Sequence, residues 1–93
     1  MNVQERGRFL EDLAKQLSAG TLSIGDAVIR LREDVTGMRQ GMFATMCKIS
    51  LRTLQQLERG ESNPTVKTLN AVFQPFGMQV GIVRRPRTRD ELS

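Results

Sequence analysis

Between residues 50 and 60 the chain concentrates long hydrogen-bonding side chains. Wound at about 100° per residue, Arg52, Thr53, Gln55, Gln56 and Arg59 fall on one arc, and Leu54 and Leu57 share the opposite face. The arc holds two cations and no carboxylate, because Glu58 turns back toward the leucines. These groups suit recognition rather than bond-making. A guanidinium can fork onto guanine, and a carboxamide can pair with adenine through two hydrogen bonds. A polar arc is equally the look of a solvated helix face, so the arc alone leaves both readings open. Chemistry of other kinds lacks its residues. The chain has no histidine, tryptophan or tyrosine. Cys47 is its single cysteine, so no intramolecular disulfide can form. The usual general base is missing and no His/Cys cluster exists for zinc. Asp26, Glu33 and Asp34 read as surface charges. No enzyme, cofactor or metal site is expected.

The elements that must position this arc can be read around it. Ser50 is an N-cap whose hydroxyl can accept an orphan N–H, and Gly60 suits the left-handed residue that closes a helix. A second short helix spans Gln40 to Cys47, and Lys48 and Ile49 form the turn between the two. Phe43, Ala44, Cys47, Ile49, Leu54 and Leu57 stand where two crossing helices need apolar or small residues, with Ala44 the small one at the crossing. Together, Gln40–Gly60 resembles the helix-turn-helix of phage-repressor and XRE-like transcription regulators. The resemblance extends upstream over Ile24–Arg32, which looks like the family's first helix. Downstream it covers Leu57–Gly60, Asn63-Pro64 and Thr68-Leu69, giving roughly residues 24 to 77. Three positions depart from the pattern. The turn residue that is usually Gly is Lys48, and a non-Gly residue at positive φ is strained. The usual Ser or Thr before Gln40 is Arg39. One more residue than usual separates Arg32 from Gln40, so the first helix must end differently.

The resemblance implies a set of contacts. By match to the family's reading positions, Leu51, Arg52, Thr53 and Gln56 would face base edges, Leu51 against a thymine methyl and Arg52 against guanine. Arg39, Gln40, Gln55, Arg59, Asn63 and Lys67 would hold phosphates. Arg32 and Glu58 would pair and tie the first helix to the end of the reading helix.

Ninety-three residues make one small domain with a modest core. No run of about 18 apolar residues is present and the N-terminus lacks a signal peptide's apolar core, so a cytoplasmic chain with no membrane partner is expected. Net charge is +4 and unevenly spread. Residues 1–37 carry five cations and six anions, and residues 38–67 carry five cations and two anions. Phosphate backbones attract such a surface whatever their sequence.

In chain order, residues 1–20 form an accessory amphipathic helix with Phe9, Leu10, Leu13 and Leu17 at helical spacing, ended by Gly20. It either completes the core or serves as a partner-binding or dimer-lengthening arm. Residues 21–77 hold the helix-turn-helix domain. Ile24, Val28 and Leu31 should be its first buried stripe. Val66, Leu69, Val72 and Phe73 should be the apolar face of its last full helix, and Pro75 and Gly77 cut short the helix that follows. Met38, Met42 and Met46 read as core filler. At 78–84 the period changes to two, with Met78, Val80 and Ile82 alternating, as in a short strand. A lone strand cannot satisfy its own backbone, so the same strand of a second copy is the simplest partner. Residues 85–93 read as a flexible basic tail. The expected architecture is mainly α: a five-helix repressor-like domain with an extra N-terminal helix and a C-terminal β-strand pairing in a homodimer. A dimerising C-terminal strand is known from the family's HipB-like antitoxin branch. The resemblance therefore implies a repressor binding a double-stranded operator, and the antitoxin of an autoregulated operon with a HipA-like kinase toxin as partner. A protein-interaction module that keeps the fold without reading DNA is the alternative.

Overall fold

Helix α1 runs Val3–Ala19 in the computed structural model, which describes residues 1–84. Asn2 caps it: its Oδ1 accepts the Glu5 N–H at 2.8 Å and its Nδ2 donates to Glu5 Oε1. Gly20 closes it at φ 76°. Helix α2, Ile24–Arg30, starts on Ser23, whose hydroxyl accepts the Asp26 N–H. It runs on without a break into a π-helical turn, Leu31–Thr36, which Gly37 ends at φ 66°. A π turn holds an added residue without breaking the helix. That is how the extra residue between Arg32 and Gln40 is absorbed. Thr36 secures the turn, its hydroxyl donating to the Arg32 carbonyl at 2.6 Å and accepting the Met38 N–H.

Helices α3, Gln40–Cys47, and α4, Leu51–Arg59, form the central pair. Lys48 joins them at φ 59°, ψ 40°, an ordinary left-handed geometry rather than a distorted turn. The Ile49 N–H reaches back to the Ala44 carbonyl at 3.0 Å, closing α3. Helix α5, Val66–Phe73, is capped by Thr65 and followed by a single 3-10 turn, Gln74–Phe76, that Gly77 ends. Pro75 and Gly77 therefore leave one turn where a fifth helix of the domain was expected.

The core gathers Val28, Leu31, Phe43, Leu54 and Val72, all fully buried, with Phe43 stacked on Phe76 at 6.2 Å. Cys47 is buried in the α3–α4 crossing as a small apolar group, and burial raises its thiol pKa above the ordinary range. Helix α1 joins this core: Leu13 is buried and Phe9, Leu10 and Leu17 pack against it half-covered.

Several expectations need correction. Ile24 is exposed, and Ala27 takes its place in the stripe with Val28 and Leu31. Ile24 opens α2 at the molecule's rim, one residue past the cap. Met42 is 65% exposed and Met46 is also exposed, so neither fills the core. They lie one turn apart, rotated away from the Phe43–Cys47 face. Val66, the first residue of α5, is exposed for the same reason as Ile24. Residues 78–84 form no strand, and the described residues contain none. A strand exists only against a neighbour, and none of the described elements offers an edge. The basic tail, 85–93, lies outside the described residues.

Candidate nucleic-acid interface

Helix α4 is held at three places. At its start, the Ser50 hydroxyl accepts the Thr53 N–H at 3.0 Å and donates to Thr53 Oγ1 at 2.7 Å. Thr53 Oγ1 keeps its own hydrogen to give elsewhere. Along its inner face, Leu54 and Leu57 are buried. At its end, Glu58 accepts two bonds from Arg32, Nε at 2.8 Å and Nη2 at 3.0 Å. The side chains of this pair are only 15% and 6% exposed. Arg32 Nη1 also donates to the Met38 carbonyl at 3.2 Å, so one guanidinium ties α2, the loop before α3 and α4 together. The hydrogen bond to Glu58 raises the Arg32 pKa further, against an opposing pull from desolvation. Arg32 therefore stays charged at any working pH. A bidentate pair shielded from water resists rotation far more than an exposed one.

Gly25 was not foreseen in this role. A Cβ there would lie 2.7 Å from the Leu57 carbonyl oxygen and 3.0 Å from that of Glu58. The backbone of α2 thus runs directly against the last turn of α4, and a side chain would push the reading helix away. A glycine inside a helical pattern was the available signal.

With α4 seated, its outer arc faces solvent. Leu51 and Arg52 are exposed at the N-terminal end, while Thr53, Gln55 and Gln56 are half-covered. Arg59 is exposed at the other end. Arg39, Lys48, Asn63 and Lys67 are exposed around it. Gln40 is less free than expected: its Nε2 donates to Glu58 Oε1 at 3.1 Å, and its Oε1 accepts from Gln55 Nε2 at 3.4 Å.

Among the described α-helices, α3 alone begins without a side-chain cap, because Arg39 makes no capping bond. Its first N–H groups remain for water or an anion, next to an exposed cation and the Gln40 amide. Three kinds of donor thus adjoin one end of α3, and apolar and amide groups line the start of α4. That arrangement suits a phosphate beside a groove of base edges.

The residues assigned to pairing are less uniform. Met78 is half-buried against the core, Val80 is partly exposed and Ile82 is fully exposed. The Val80 N–H donates to Asn70 Oδ1 at 2.8 Å, a tether missed in the sequence. The segment borders an open groove of about 440 Å³ lined by Ala14, Leu17, Ile24, Leu69, Phe73 and Val80. No residue of α3 or α4 lines it.

Among the described residues, no group of three or more His, Cys, Asp or Glu could hold a metal ion, and no helix is long and apolar enough to cross a membrane. No curated protein and no solved structure matches the chain significantly. The family model described as helix-turn-helix matches residues 30–81, more than half of the chain, from the last residue of α2 through the pair α3–α4 to Gly81. With the capped, outward-facing α4, the α3–α4 crossing and this match, the chain belongs to the XRE-type helix-turn-helix family of DNA-binding regulators.

Proposed function

We propose that the chain is a sequence-specific transcriptional repressor that acts by binding, as a homodimer, to a double-stranded operator. The observation that carries the reading is the seating of α4. A buried ion pair, two leucines and a capping serine hold it so that Leu51, Arg52, Thr53 and Gln56 form its outer N-terminal arc. Leu51 would meet a thymine methyl and Arg52 a guanine. Arg39, Gln40, Arg59, Asn63 and Lys67 would lie along the phosphates, with the uncapped start of α3 adding peptide N–H donors. The alternative of an adaptor that has lost DNA reading draws on Lys48 in the turn, on Arg39 in place of the usual cap and on the extra N-terminal helix. Lys48 adopts the left-handed geometry without distortion, which removes the first of these motives.

Pairing is supported by the exposed apolar side chains of residues 79–84, Val80, Ile82 and Val83, with Ile82 fully exposed. Two copies joined there would set two α4 helices on half-sites roughly one helical turn apart. The sharper reading, an antitoxin that represses its own operon together with a HipA-like kinase toxin, rests on the resemblance of this segment to the HipB-like branch. Co-purification with a kinase encoded beside it tests that step, and the absence of such a neighbour removes it.

The repressor reading is tested by selecting duplexes from a random library and titrating the best one at several salt concentrations. Arg52→Ala should lose about 1–3 kcal/mol of discrimination at one base pair while the thermal midpoint stays unchanged. Selection of no common sequence would refute the reading.

A further inference from the structure

The four side chains Arg32, Glu58, Gln40 and Gln55 form one directed chain of hydrogen bonds across α2's π turn, α3 and α4. Glu58 can only accept, and it already takes two bonds from Arg32. Gln40 must therefore turn its amide nitrogen toward Glu58, which leaves its carbonyl oxygen toward Gln55. Gln55 in turn presents its nitrogen. Flipping the Gln40 amide would set two acceptors against each other at Glu58 and two donors against each other at Gln55. The carboxamide thus has one orientation, secured from both ends. One of its two N–H bonds is used on Glu58, and the other has no partner among the described residues.

From this we infer that Gln55 is a positioning residue: it acts on DNA through Gln40, holding that amide so that its free N–H meets one phosphate. The inference rests on the DNA-binding reading above and changes one part of it, since the family pattern assigned Gln55 a phosphate of its own. Gln55 is half-covered and has an internal partner. Arg39 and Lys67 are exposed, as a side chain must be to reach a phosphate unaided.

The test is a double-mutant cycle on the selected duplex, with side-chain amide NMR of the free protein alongside. Gln55→Met keeps the length and helix preference of glutamine but has no donor. It should weaken duplex binding about three- to tenfold, the equivalent of one net hydrogen bond, with the thermal midpoint unchanged. Gln40→Met should weaken binding at least as much. The double variant should bind no worse than Gln40→Met alone, because Gln55 then has nothing to hold. In the free protein the Gln40 side-chain amide signals should move in Gln55→Met. Additive losses, or full binding by Gln55→Met, would overturn the inference while leaving the DNA-binding reading intact. Unmoved Gln40 signals would overturn it without reference to DNA. If the unaltered chain selects no duplex, both readings fall together.

Discussion

Helix α4 and the segment 78–84 each carry a regular apolar pattern, one recurring every three residues and the other every two, yet they differ in what they need to take shape. Helix α4 satisfies its backbone within itself, is capped by Ser50 and closed by Gly60, and is pinned by Arg32–Glu58. Residues 78–84 are tied back by two backbone N–H groups, Met78 to the Phe73 carbonyl and Val80 to Asn70 Oδ1, and carry an apolar side chain, Ile82, entirely in water. A helix closes its hydrogen bonds locally, whereas a strand must borrow half of them from another segment. The first region is therefore finished before any ligand arrives. Among the described residues, the second is tied down by hydrogen bonds only over its first three. Under the proposed pairing, the first is the rigid surface that reads and the second sets the spacing of two readers.

The contrast can be broken hardest at the ion pair. Arg32→Ala leaves Glu58 buried without its partner, and should lower unfolding free energy by about 3–5 kcal/mol in urea denaturation. A loss below 1 kcal/mol, the range of exposed pairs, would mean that α4 is seated by its leucines alone. The other region should respond in the opposite way. Ile82→Asp should leave the stability of the single chain unchanged, since the residue is fully exposed among the described residues. It should weaken self-association by about tenfold or more in sedimentation equilibrium, because a charge would have to be desolvated in the interface. Loss of folding stability instead would show that Ile82 belongs to the monomer core.

The smallest expected effect sharpens the account of the α3–α4 crossing. Burial raises the Cys47 pKa, so the folded chain holds that proton more tightly than the unfolded chain. The contribution is intact below the ordinary thiol range, about 8.5, and is lost as pH rises through the folded value. The urea midpoint of the unaltered chain should therefore fall more steeply above about pH 8.5 than that of Cys47→Ala. Parallel slopes would place the thiol in contact with water.

Most of the reading unit was legible in the sequence because its determinants are local. Ser50 and Gly60 mark the ends of α4, and the Phe43-Ala44-Cys47 spacing marks the face of α3. The Arg32–Glu58 pair, 26 residues apart, came from resemblance and not from spacing. What escaped was decided by neighbours in space. Met42 and Met46 look apolar in the sequence, but none of the described residues comes over their side of α3 far enough to bury them. Gly25 matters only because the last turn of α4 passes within 3 Å of where its Cβ would be. The Asn70–Val80 tether joins residues whose proximity depends on the 3-10 turn between them. The extra residue before Gln40 was visible as a count, but its accommodation as a π turn depends on Thr36 and Gly37 closing the helix together.

The most direct measurement is amide and side-chain NMR mapping of the labelled chain as a selected duplex is added. Signals of residues 51–56 and 39–41 should move first and farthest, with those lining the groove beside α1 nearly still. Shifts centred on that groove or on residues 78–84, with α4 unmoved, would contradict the proposal that α4 is the surface this molecule offers to DNA.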